Sequence, residues 1–106
     1  MKKIPKTPDE QPPALLAKEE IEARMEAVPA WHLQRGGKVL TYRHPCSSAI
    51  HAMILAGIVV VMGELHGHEV DVRLNGRWID LRLTTTTAGG LTARDFEFAK
   101  EASLVL

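Results

Sequence analysis

Residues 69–95 read EVDVRLNGRWIDLRLTTTTAGGLTARD, and this stretch decides the fold. Val70, Val72 and Leu74 alternate with Glu69, Asp71 and Arg73. Beyond Asn75-Gly76, Trp78, Asp80 and Arg82 alternate with Ile79, Leu81 and Leu83. A period of two marks strands with one wet and one dry face. Asn-Gly between two such runs is a strong hairpin signal, because both residues tolerate positive φ in a two-residue turn. The strands are predicted over 69–74 and 77–85, the second ending in the β-branched run Thr84–Thr87. Gly89-Gly90 then break the chain. Thr92 opens a helix over 93–105, with Asp95 at the capping-box spacing in place of Glu.

Immediately upstream, residues 47–66 read SSAIHAMILAGIVVVMGELH. The run has no turn signal and is too long for an ordinary strand, so it is predicted as a helix. Ser47 or Ser48 can cap its start and Gly67 can end it. Ile50, Met53, Ile54, Gly57, Ile58, Val61 and Leu65 form one apolar stripe. Ala52, Leu55, Ala56, Val59 and Val60 make the rest of the helix apolar too. A helix apolar all round is buried all round. So small a domain does not surround such a helix, so a second subunit is expected to cover one face.

Residues 14–28, ALLAKEEIEARMEAV, are rich in helix formers and stop at Pro29. Leu15, Leu16, Ile21, Met25 and Val28 fall roughly on one side. Two short strands, 31–34 and 38–42, follow around Arg35-Gly36-Gly37. The order is α-β-β-α-β-β-α. Two hairpins can form one four-stranded antiparallel sheet with helices on one face, an α+β two-layer domain. Residues 1–13, MKKIPKTPDEQPP, hold four of the six prolines and read as a flexible tail, leaving 14–106 as the domain.

Composition narrows the function classes. The chain has 106 residues, with 13 basic balancing 13 acidic side chains. No general positive field recommends nucleic acid or an anionic membrane as partner. The longest apolar run, residues 52–63, is shorter than the roughly 20 residues of a membrane span. No apolar segment follows the N-terminal Met-Lys-Lys, so no signal peptide is expected. A single cysteine, Cys46, excludes an internal disulfide and a Cys-rich zinc site, and suits a reducing cytoplasm. His66 and His68 are too divergent on a helix to act as a metal pair, since successive residues are ~100° apart. His51 reads as an interface histidine and Cys46 as an inert thiol; Asp95 is explained by capping and dipole stabilisation alone.

The stretch Gly63 to Asp71, the hairpin with Asn75-Gly76 and Trp78, and Ala88-Gly89-Gly90-Leu91-Thr92-Ala93-Arg94-Asp95 together resemble the pterin-4a-carbinolamine dehydratases. The resemblance runs over about residues 14–105. That family carries E-x-x-x-H-H-P-D at the end of its long helix and T-H ahead of G-G-L-T-x-x-D. Counting back from Gly89-Gly90, the resemblance places the first family histidine on His68, the second on Glu69, the proline on Val70 and the third histidine on Thr86. Glu64, Asp71 and Asp95 keep the acidic positions. The resemblance therefore implies a pterin pocket of Glu64, His68, Glu69, Asp71, Thr86 and Asp95 with two histidines replaced. No metal and no cofactor is implied.

On that ground the sequence is expected to be a non-enzyme. It resembles the family branch implicated in Rubisco assembly alongside α-carboxysome components, an assembly factor or chaperone. The alternative is a pterin-4a-carbinolamine dehydratase with weak residual activity through His68 and Glu69, and a third family role is a dimerisation cofactor for a transcription factor. The implied partners are a second copy, most simply as a dimer, and Rubisco subunits, with neither nucleic acid nor membrane. The implied location is cytoplasmic and carboxysome-associated. Glu69, Asp71, Arg73, Asp80 and Arg82 are expected to share the sheet face away from the helices and to form the partner-binding surface.

Overall fold

The computed structural model describes residues 13–106. Its elements are α1 (Lys18–Met25), β1 (His32–Gln34), β2 (Val39–Pro45), α2 (Ala49–His66), β3 (Asp71–Asn75), β4 (Trp78–Leu83) and α3 (Ala93–Val105). The four strands form one antiparallel sheet in the order β1-β2-β4-β3. The two hairpins are thus joined through β2 and β4, as an α+β sheet with helices on one face requires. The expected tail lies outside the described residues except for Pro13.

The second hairpin turns one residue later than Asn75-Gly76 predicts. Asn75 is the last residue of β3 and pairs with Trp78, so Gly76-Arg77 form the loop. Gly76 has φ 62, while Arg77 is not left-handed. Positive φ at the first central position alone is the II′ pattern, which asks only for glycine there. The register consequently sets Asp71 opposite Arg82 and Arg73 opposite Asp80.

The first helix is shorter than its composition suggests. Residues 14–17 run extended, with Leu15 bridged to Thr92 and the Leu16 N–H donating to the Leu91 carbonyl at 2.9 Å. These tertiary hydrogen bonds outweigh intrinsic helix propensity, which is only tenths of a kcal/mol per residue. Leu15 also crowds Gly90, where a Cβ would lie 2.8 Å from its Cδ1.

The core lies between sheet and helices. Leu40, Ile79, Leu81 and Leu83 point from the strands toward Trp31, Leu91, Phe96 and Phe98. The Trp31 ring lies 5.3 Å from that of Tyr42, and its Nε1–H donates to Ser103 Oγ at 3.0 Å. Trp31 is therefore structural, as is Cys46, buried with its N–H on the Arg77 carbonyl.

α2 buries a row of mostly small side chains and leaves a row of large ones exposed. Ala52, Ala56, Val59 and Gly63 are buried, and small residues let the helix approach the sheet closely. Ile50, Met53, Ile54, Val61 and Leu65 are 71, 61, 59, 56 and 80% exposed. By length and composition α2 could cross a membrane, the only described helix that could, and 12 apolar residues had suggested none. Its buried row makes it a core helix with one open face.

Candidate active site

The chain leaves α2 through Gly67, whose φ of 62 reverses the backbone. His68 follows and turns inward. Its Nε2 lies 2.8 Å from Asp95 Oδ1 in the first turn of α3, with side chains 7% and 0% exposed. The ring N–H is not aimed along that line, so the contact is mainly charge to dipole rather than a linear hydrogen bond. Asp95 Oδ2 is held independently. It accepts from the Thr92 N–H at 2.9 Å and from Thr85 Oγ1 at 2.8 Å, and Thr85 and Thr92 hydroxyls sit 2.8 Å apart. The first of these is half of the expected capping box. Capping alone is thus an incomplete account of Asp95, because its other oxygen faces His68.

Three clefts of about 470, 360 and 330 Å³ meet at Gly67 and His68. Glu64, exposed on the last turn of α2, lines two of them. Glu69 lines two, and Thr86 lines the smallest with its threonine neighbours and Arg94. Of the expected pocket residues, the structure gathers Glu64, His68, Glu69, Thr86 and Asp95 here. Asp71 lines none of the clefts. It begins β3 on the outer sheet face, where Arg73 reaches it at 3.3 Å.

That outer face holds Asp71, Arg73, Asp80 and Arg82, as the alternation implies, but not Glu69, which precedes β3 and borders the clefts. Arg43 of β2 joins it, with Nε and Nη2 at 2.6 and 3.1 Å from the Asp80 carboxylate. The paired guanidinium holds Asp80 below the ordinary carboxylate range, the hydrogen bond outweighing partial burial. Arg43 also lies over Trp78, 5.7 Å from the ring centre. Sequence reading missed Arg43 because the β2 alternation was ended at Tyr42.

The two histidines face different carboxylates, His66 at the end of α2 and His68 beyond it. His66 Nε2 meets Glu101 of α3 at 2.5 Å while His68 meets Asp95, and the two rings flank Phe98 at 6.2 and 5.6 Å. Among the described residues no group of three or more His, Cys, Asp or Glu side chains could hold a metal ion. His51 is exposed in the single chain, and its Nδ1 accepts from the Ser47 N–H at 3.1 Å.

Residues 14–105 match the family model for pterin 4 alpha carbinolamine dehydratase. A protein of Acidobacterium capsulatum is 35% identical over 95 residues, covering 88% of this chain and 99% of its own length. One from Trichodesmium erythraeum is 33% identical, covering 84 and 94%. Both carry the pterin-4-alpha-carbinolamine dehydratase name. The crystal structure of a transcriptional coactivator/pterin dehydratase from Brucella melitensis superposes with a TM-score of 0.79 at 18% identity, over 85% of this chain and 96% of that one. At that identity it shows a shared fold. The expectation of a non-enzyme is overturned by these relatives, which are named as enzymes and match over nearly their whole length. The replaced histidines had been read as loss of activity, yet His68 sits in a built, buried contact with Asp95. By family model and by near full-length identity above 30%, the chain belongs to the pterin 4 alpha carbinolamine dehydratase family.

Proposed function

We propose that the protein dehydrates a pterin 4a-carbinolamine. The observation that carries this reading is the buried His68–Asp95 contact at the meeting point of three clefts, in a chain of this family. A carbinolamine bears a hydroxyl on a carbon bonded to N–H. Dehydration breaks the C–O bond, removes the nitrogen-bound proton and forms C=N, releasing one water. One group must give a proton to the departing hydroxyl, and one must take the proton from nitrogen. Imidazole does either near neutral pH. The Asp95 carboxylate beside Nε2 favours the proton on that nitrogen and leaves Nδ1 as the basic one. Glu69, on two of the same clefts, is the second proton-transfer group, and the Thr86 hydroxyl offers a hydrogen bond to the substrate.

The test is acceleration of carbinolamine loss, followed by absorbance, with the protein and with Glu69→Gln. The reading expects catalysis above the spontaneous rate and a loss in the variant. The Rubisco-assembly and transcription-factor readings rest on resemblance alone, and nothing in the site favours either. The open row of α2 supports a second copy of this chain as partner.

A further inference from the structure

We infer that Gly63 is a positioning residue for His68, its missing side chain being what allows the imidazole to reach Asp95. The inference rests on the dehydratase reading for its catalytic consequence only.

α2 ends in two hydrogen bonds, from the Gly67 N–H to the Glu64 carbonyl at 3.3 Å and from the His68 N–H to the Gly63 carbonyl at 2.9 Å. With Gly67 left-handed, this is a Schellman closure in which His68 is the residue folded back onto the helix. The fold-back brings backbone against backbone. A Cβ on Gly63 would lie 2.9 Å from the His68 carbonyl oxygen and 3.1 Å from Val70 Cγ1. The first neighbour is main chain, which cannot swing aside as a flexible side chain can. Phe98, whose ring lies 5.6 Å from the His68 ring, is 4.0 Å from the same point through Cε2.

Conformational freedom does not explain this glycine. Gly63 lies inside α2 and is not among the residues with positive φ. Alanine is the better helix former there, so a helix indifferent to its surroundings would gain from it. Gly57, in the same helix, has nothing within 4 Å of a built Cβ. The requirement is local to the turn that carries His68. A methyl group at 63 must push the His68 carbonyl outward, and the imidazole moves with its backbone away from an Asp95 that Thr85 and Thr92 hold in place.

The experiment records the NMR signals of the His68 ring at one fixed pH in the wild-type chain, Gly63→Ala and Asp95→Asn. Among the described residues Asp95 is the only carboxylate within ion-pair distance of that ring, with Glu64, Glu69 and Arg94 on the clefts around it. Asp95→Asn removes the charge beside Nε2 and should move the ring signals, which gives the signature of a lost contact. Gly63→Ala should move them in that same direction and lower kcat roughly tenfold to a hundredfold with a smaller change in KM. Should Gly63→Ala not fold, Gly63→Ala with Val70→Ala relieves the side-chain contact and keeps the one with the carbonyl. His68 ring signals matching wild type in a folded variant overturn the inference. Failure of both variants to fold also overturns it, since Gly63 would then serve the fold as a whole. A wild-type chain without turnover would count against the dehydratase reading and leave the ring signals to decide this one.

Discussion

His68 Nε2 and Asp95 Oδ1 lie 2.8 Å apart, one residue just past the end of α2 and the other in the first turn of α3. The two oxygens of Asp95 have separate tasks. Oδ2 closes the start of α3 and binds Thr85, and Oδ1 faces the imidazole. Asp95→Asn keeps one oxygen and loses the charge. It should destabilise the fold by about 1–3 kcal/mol, the range for a disturbed buried polar network. Thr85→Val, which removes one donor, should cost about 1 kcal/mol. Urea midpoints at constant m-value measure both.

The exposed row of α2 should form an interface between two copies. Gly57 presents open space near the middle of the helix, and Ile50 with Leu65 and Ile54 with Val61 are spaced evenly about the point between Gly57 and Ile58. An antiparallel pair about that point would bring Ile50 to Leu65 and Ile54 to Val61 of the other copy, a self-complementary apolar seam. Burying each large aliphatic side chain contributes roughly 1.5–3 kcal/mol. Val61→Asp should therefore dissociate the assembly and leave the monomer folded. Val59→Asp should unfold it, since Val59 is fully buried against the sheet. Sedimentation and thermal melting separate the two outcomes; a monodisperse wild-type monomer at micromolar concentration would contradict the seam.

Acid should weaken the fold through His44. Burial, and secondarily the nearby His51, lowers its pKa, and its Nδ1 lies 2.8 Å from the Tyr42 hydroxyl. Below the ordinary value of about 6.5 the unfolded chain takes up this proton more readily than the folded one. The His44 contribution is therefore complete above that pH and is lost as pH falls through the depressed folded value. The Tm should drop as pH falls below about 6.5, and less steeply in His44→Gln.

Most of the architecture was legible because its signals were local. Alternation at 69–74 and 77–83, the Ser48 and Thr92 caps and Gly67 fixed the second hairpin and two helices to within a few residues. The errors arose where distant partners decide. Residues 14–17 have helical composition but hydrogen-bond to Leu91 and pair with Thr92. Both Asn75-Gly76 and Gly76-Arg77 satisfy a tight turn, and only pairing across the sheet selects the second. Within the site, the family resemblance pointed to His68, Glu69 and Thr86, but the contact between His68 and Asp95 spans 27 residues and left no periodic trace. Counting histidines alone therefore led to a non-enzyme. Gly63 was equally hidden, since its role depends on a carbonyl that returns only after the helix has ended.

The most direct measurement is the rate of dehydration of a 4a-hydroxytetrahydropterin, generated in place and followed by stopped-flow absorbance, for the wild-type chain and His68→Gln. The wild type should exceed the spontaneous rate, and the substitution should remove about 10²–10⁴-fold of the acceleration, the usual contribution of a positioned proton-transfer group. A wild-type rate equal to the spontaneous one, or full activity in His68→Gln, would contradict the account.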